Sequence, residues 1–160
     1  MRYRVVYKTP EKFSNIILES DGECLTGLWF ENLPEYSQND LVLFGDAVRW
    51  LDIYFSGRDP GFTPDYRLDG LTPFQKSVAE VMLKIPYGKT TTYGAIASEI
   101  AKERGLPKMS AQAVGGAVGR NPISLIIPCH RVIGSDGSLT GYGGGLSNKE
   151  ALLKFEGSLR

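Results

Sequence analysis

Apolar and polar positions set two rhythms along the chain. Arg2–Lys8, Asn15–Ser20 and Cys24–Phe30 are rich in β-branched and aromatic residues and predict three short strands. Asp21-Gly22, between the second and third, is a hairpin dipeptide. Pro34 to Asp40 is polar and reads as loop. From Leu41 to Phe55 the spacing turns helical, with Leu43, Ala47, Trp50, Leu51, Tyr54 and Phe55 on one side and Gly57 placed as a C-terminal cap. The first half is therefore expected as a small antiparallel sheet with one helix. Cys24, Trp29 and Trp50 are expected in its core.

Arg58 to Gly70, with its prolines, glycines and aspartates, reads as a linker, placing two domains at 1–70 and 71–160. The second half is mainly helical. Thr72-Pro73-Phe74-Gln75 combines a capping residue, a first-turn proline and a capping-box glutamine. Phe74, Val78 and Met82 form the stripe of that helix, which Pro86 and Gly88 end. A short amphipathic helix over Thr92–Ala101, a polar turn from Lys102 to Lys108 and a helix from Ala111 to Val118 capped by Ser110 make a helix-turn-helix pattern. Ala113, Gly116 and Ala117 give the last of these a side of small residues only. Glycine inside a helix costs up to about 1 kcal/mol relative to alanine. Two readings offset that cost: close packing on a neighbouring helix, or a thin helix entering a narrow groove of DNA. Ser147-Asn148-Lys149-Glu150 reads as a second capping box, opening a last helix with Leu152, Leu153 and Phe155.

Charge sharpens the division. Residues 1–71 hold 7 Lys+Arg against 12 Asp+Glu, a net of −5, and residues 72–160 hold 11 against 6, a net of +5. Mutual docking of the halves accounts for this, and so does a polyanion met by the second half alone. At 42% apolar and 22% charged the composition is that of a globular protein. No apolar run approaches the roughly 20 residues of a membrane helix. The N-terminal MRYRVVYKTP lacks the apolar centre of a signal peptide, so the expected location is the cytoplasm. No metal is expected, because Cys24, Cys129 and His130 are the only soft ligands and lack finger spacing.

Candidate chemistry concentrates in Ser124-Leu125-Ile126-Ile127-Pro128-Cys129-His130-Arg131-Val132-Ile133. The apolar run reads as a buried strand or extended segment ended by Pro128. The only histidine follows one of the two cysteines. A free thiol, with a pKa near 8.5, needs a base or a positive neighbour to react at neutral pH, and His130 and Arg131 are candidates. Against this stands the ordinary use of buried cysteine as a small core residue. Successive strand residues also face opposite ways, so Cys129 and His130 cooperate only through a bend or a bridging water. Gly141-Tyr142-Gly143-Gly144-Gly145 is a flexible loop near the thiol in sequence. Glu156 ends the last helix beside the negative end of its dipole, which suggests a partner such as His130.

Ile127-Pro128-Cys129-His130-Arg131-Val132, Gly141-Tyr142 and the Lys149…Glu156-Gly157 helix resemble the O6-alkylguanine-DNA alkyltransferase family. The resemblance extends through Thr72–Gln75, Ile85–Gly88, Thr92-Tyr93 and Ala113–Ala117, and covers roughly residues 70–157. It implies a ribonuclease-H-like α/β first domain and a helical, winged-helix-like second domain. It implies suicidal repair of double-stranded DNA: the guanine is flipped out through the minor groove and its O6-alkyl group passes to Cys129. Carried over from the resemblance, His130 would take the thiol proton through a water and Glu156 would orient the imidazole. By the same resemblance Tyr93 would donate a hydrogen bond to the guanine, the backbone of Cys129 and Val132 would bind its amino group, and the Gly143 amide would face O6 beside Tyr142. Asn121 braces the turn behind the recognition helix, whose Gln112, Ala113 and Gly116 meet DNA; Arg131 is expected at the substrate side or holding local structure. No cofactor is implied, and a monomer is expected. Members often carry arginine where this chain has Gln112. Two other readings are a non-catalytic alkyl-lesion binder, whose members replace the cysteine that this chain keeps, and a thiol hydrolase, for which the adjacent histidine is awkwardly placed.

Overall fold

The computed structural model describes residues 2–33, 41–139 and 141–159. The polar stretch from Pro34 to Asp40, expected as loop, lies outside the described residues. Contacts divide the chain into two compact units, one of Met1–Asp69 with Pro122–Ser124 and one of Gly70–Asn121 with Leu125–Arg160.

In the first unit β1 (Tyr3–Tyr7), β2 (Ile16–Ser20) and β3 (Leu25–Phe30) form an antiparallel sheet in that order. Ile16, Ile17 and Leu18 are all buried, so the middle strand is covered on both faces. The turn between β2 and β3 is wider than the expected two-residue hairpin. Asp21 Oδ1 accepts the amides of Glu23 and Cys24 at 2.9 and 2.8 Å, Gly22 adopts φ +102°, and the register shifts between Glu19 and Ser20. Cys24 therefore sits half-buried in the turn rather than in the strand core. Trp29 is also only half-buried, with the Arg4 guanidinium 5.4 Å from its ring centre, whereas Trp50 is buried as expected.

The stretch from Arg58 to Gly70 is not a free linker. Leu25 donates to the Asp65 carbonyl and Arg67 donates back to Leu25, both at 2.9 Å, and Arg67 pairs with Asp21 and Glu23. Pro122–Ser124 bonds to Leu28 in the same way, so the two segments together cover the open edge of β3. A 3₁₀ turn at Leu41–Phe44 leads into α1 (Gly45–Phe55), which buries Ala47, Trp50, Leu51 and Tyr54 and ends before Gly57 at φ +93°.

The second unit holds α2 (Pro73–Leu83), β4 (Thr91–Thr92), α3 (Tyr93–Glu103), α4 (Ala111–Val118), β5 (Val132–Ile133) and α5 (Leu146–Phe155). Both halves of the Thr72/Gln75 capping box form, at 3.0 and 3.2 Å. In α2 Val78 and Met82 are buried with Ala79 and Val81, while Phe74 at the first turn is half-buried. Thr92 caps α3 and Ser110 caps α4 through their hydroxyls, and α4 packs on α2 and α3. The last helix begins two residues earlier than its sequence suggests. Gly145, at φ +94°, is its N-cap, with no side-chain capping bond; Asn148 instead donates to the Gly144 carbonyl at 2.7 Å, and Lys149 turns inward. Among the described residues no helix is long and apolar enough to cross a membrane.

Candidate active site

The apolar run before Cys129 is a turn, not a strand. Having bonded along β3 through Ser124, the chain reverses at Leu125, a buried residue at φ +68°. A non-glycine residue there is held at a cost of about 1–3 kcal/mol, so its surroundings must enforce it. Asn121 does part of this, its side-chain amide donating to the Ile127 carbonyl at 2.8 Å. Pro128 then starts a 3₁₀ turn over Cys129–Arg131, closed by Arg131 donating to the Pro128 carbonyl at 3.0 Å and Val132 to that of Cys129. Three residues per turn fan Cys129, His130 and Arg131 in three directions, which removes the objection that neighbours on a strand face opposite ways.

All three side chains are buried. His130 Nε2 lies 2.7 Å from Glu156 Oε2, both side chains fully enclosed, and His130 Nδ1 has no hydrogen-bond partner among the described residues. Of the two places expected for Arg131, the substrate side or a role in local structure, the side chain takes the second: it points inward, with Nε 2.8 Å from Glu156 Oε1, Nη2 3.1 Å from Oε2 and Nη1 2.8 Å from the Ile85 carbonyl. The Gly88 amide adds a bond to Glu156 Oε1 at 3.3 Å. Glu156 is the C-cap of α5, where a carboxylate is disfavoured by the helix dipole, and these donors more than offset that. Burial favours the protonated acid, but the hydrogen bonds and charges of His130 and Arg131 outweigh it, so Glu156 titrates well below the usual carboxylate range. Burial pushes the His130 pKa down; Glu156 opposes this, and the charges of Arg131 and Lys149 reinforce it. The pair at rest is a carboxylate and a neutral imidazole.

Tyr93 is tied to this centre by the parallel ladder of β4 and β5, which pairs Thr91 with Val132 and Thr92 with Ile133. Tyr93, the next residue, opens α3 with its ring beside Gly115, and its hydroxyl lies 3.9 Å from where a side chain on Gly141 would begin. Gly141, at φ +65°, and the Tyr142–Gly145 turn shape the glycine loop, leaving Gly143 exposed with open space around it. Sequence reading missed Lys149 as a site residue. It is 1% exposed, donates to the Val132 carbonyl at 2.6 Å, and holds its ammonium 6.0 Å from the ring centres of both Tyr93 and Tyr142. Burial lowers its pKa, while the nearby Cys129 acts in the opposite direction. The only signal was a lysine in the apolar repeat of a helix whose charged residues were taken for a cap.

On α4, Gln112, Ala113 and Gly116 are exposed and Ala117 is buried, so the small-residue side divides between inside and outside. A side chain on Gly116 would begin in open space, which removes helix packing as the reason for glycine at that position.

Three comparisons agree on kinship. Residues 73–158 match the family model described as 6-O-methylguanine DNA methyltransferase, DNA binding domain. A methylated-DNA–protein-cysteine methyltransferase of Methanosarcina acetivorans is 44% identical over 162 residues, covering 98% of this chain and 99% of its own. One from Mycobacterium tuberculosis is 50% identical over 148 residues, covering 89% and 86%. The crystal structure of Mycobacterium tuberculosis O6-methylguanine methyltransferase superposes with a TM-score of 0.81 at 41% identity, covering 100% of this chain and 95% of that one. A crystal structure from the same organism, solved in complex with DNA, gives 0.75 at 39%, covering 96% and 92%.

Proposed function

The chain belongs to the 6-O-methylguanine DNA methyltransferase family, and from that premise we propose how its own residues carry the reaction. The activity is methylated-DNA–protein-cysteine methyl transfer, a direct repair of DNA. The acceptor is Cys129, since Cys24 lies in the first unit, outside the matched residues. The observation that carries this assignment is the enclosed Glu156–His130 pair formed around the 3₁₀ turn that holds Cys129.

His130, donating through Nε2 to Glu156, keeps Nδ1 as an acceptor, and a bridging water delivers the thiol proton to it. The positive charge of Lys149 favours the thiolate. Sulfur attacks the alkyl carbon on guanine O6; the S–C bond forms, the C–O bond breaks, and its electron pair stays on the base. Tyr93 donates a hydrogen bond to the base as that charge develops. The thioether has no ready reverse step, so each molecule acts once. The Val132 carbonyl, already accepting from Lys149, retains a lone pair for the guanine amino group, beside the Cys129 backbone. The Gly143 amide and Tyr142 bound the O6 side. The base must leave the stack to reach so buried a thiol. The ribonuclease-H-like and winged-helix-like descriptions of the two units belong to the same reading, supported by the sheet with α1 and by the α3–α4 pair with β4 and β5. A monomer suffices, since every group named comes from one chain.

The test is mass spectrometry after incubation with a duplex bearing one O6-methylguanine. One methyl group per protein, on the peptide containing Cys129, is the expected result. Damaged duplex bound without mass gain would make the protein a lesion binder.

Two predictions address the DNA face. The minor groove is about 6 Å wide, so only a thin helix face enters it. Gly116→Leu is expected to stabilise α4 by up to about 1 kcal/mol while weakening duplex binding by roughly tenfold, about 1.4 kcal/mol. A rise in Tm without loss of affinity in an anisotropy titration would remove α4 from the interface. Gln112→Arg should tighten binding to damaged duplex by roughly fivefold, because arginine adds charge and reach beside the orphaned base. Unchanged affinity would mean glutamine fills that space equally well.

A further inference from the structure

We propose that Arg131 is a positioning residue for the transfer: by neutralising Glu156 it keeps His130 a neutral imidazole, with Nε2–H on the carboxylate and Nδ1 left bare to accept a proton. This rests on the reading of His130 as the acceptor of the thiol proton, and it accounts for a guanidinium that this reading does not otherwise use.

The geometry is a clamp. Arg131 meets both oxygens of Glu156, at 2.8 and 3.1 Å, and anchors its third nitrogen on the Ile85 carbonyl at 2.8 Å, with its guanidinium 5.7 Å from the centre of the Tyr87 ring. With the Gly88 amide on Oε1, the carboxylate has no freedom to rotate away from the imidazole. The clamp also settles the charge. An unpaired buried carboxylate 2.7 Å from an imidazole would draw a proton from solvent onto the ring and form an ion pair. Both ring nitrogens would then be donors, leaving no site for the thiol proton. With Arg131 present the carboxylate already has its cation, and a second positive charge on the ring would face Arg131 on one side and Lys149 from α5 on another. Cys129, the preceding residue in the same turn, is a further titratable neighbour. Arg131 thus makes Glu156 an orienting group more than a charge-stabilising one.

His130 is the only histidine in the chain, so its ring signals need no assignment. Long-range 1H–15N spectra of the whole protein, free of DNA, are recorded against pH for the wild type, Arg131→Met and Arg131→Lys. The wild type is expected to show the neutral Nε2–H tautomer at pH 7. Arg131→Met, which removes the charge and keeps the bulk, should raise the histidine titration by about one pH unit or more. The acid limb of its methyl-transfer rate profile should move by the same amount. Arg131→Lys, which restores the charge without the fork, should return the titration to within a few tenths of the wild type. A wild-type imidazolium at pH 7, or a proton on Nδ1, overturns the proposal even where Arg131→Met does not fold. A folded Arg131→Met with an unchanged titration overturns it too, leaving Arg131 as a brace. These spectra are read without substrate, so a failure of Cys129 to take up methyl would count against the functional reading and not be confused with either result.

Discussion

Glu156→Gln should lose about 3–5 kcal/mol of folding stability, the usual consequence of removing one partner of a buried ion pair. Glutamine keeps the shape and can still accept from His130 or Arg131, but it leaves the guanidinium, 9% exposed at its side chain, without a counter-charge. A domain is stable by only about 5–15 kcal/mol, so this one substitution should remove a large share. At roughly 2–4 °C per kcal/mol for a chain of this size, Tm should fall by on the order of 10 °C. The pH dependence separates this origin from simple loss of packing. Glu156 has its folded pKa depressed, so its contribution is complete above the unfolded value and disappears as pH falls through the depressed one. His130 is a base with a depressed folded pKa, so below about pH 6.5 the unfolded chain binds the proton that the folded one refuses. Both effects have the same sign: wild-type stability declines on acidification, first through His130 and then through Glu156. The variant should lack the second decline. Calorimetry from pH 7 to pH 3 checks this, and a variant within 1 kcal/mol of wild type would mean that the cluster is solvated rather than closed.

Much of this centre was legible in the sequence, and the rest failed for identifiable reasons. The Thr72/Gln75 capping box, the Ser110 cap and the partner for Glu156 were legible because each depends on neighbours in sequence or on one rule about helix ends. Leu125–Ile127 was not, because an apolar run has the same appearance whether it is straight or turned. Its φ of +68° at Leu125 follows from the pairing of Pro122–Ser124 with β3, a residue partnership nearly a hundred positions away in sequence. A separation in sequence likewise hid the edge pairing of the supposed linker with Leu25. The start of α5 was misread because Gly145, not Ser147, has the required backbone angle, and that error concealed Lys149. For Arg131 the substrate side and a role in local structure both stayed open, because the groups that engage its three nitrogens, Glu156 and the Ile85 carbonyl, lie 25 and 46 positions away in sequence. Local capping chemistry is thus readable from sequence, while residues whose roles depend on distant partners are not.

Cys129→Ser should abolish methyl transfer and leave binding of damaged duplex intact. The two side chains differ by one atom, and Cys129 is 6% exposed in a turn closed by backbone bonds, so the serine variant has no cause to unfold. The chemistry differs far more. A thiol near pKa 8.5 is partly ionised at neutral pH, and Lys149 and His130 act to increase that fraction. A hydroxyl is not, and in the proposed mechanism the imidazole reaches it only through water, so its proton is not removed as fully as by the base of a serine hydrolase. No methyl should appear on the Cys129 peptide of the variant under conditions that convert the wild type fully. The exposed groups proposed to meet DNA, Gln112, Ala113 and Gly116, are untouched, so affinity for the lesion should stay within about twofold of wild type. Lys149→Met places the expected behaviour between these extremes: the thiol keeps its nucleophile but loses its nearby cation, so its titration should rise by about one pH unit and the rate at pH 7 should fall by about tenfold. Should Cys129→Ser still gain methyl, the acceptor is another residue and the enclosed pair serves some other end. Should Lys149→Met leave the thiol titration unmoved while Cys129→Ser behaves as expected, the thiolate draws its stabilisation from the turn and from His130 alone.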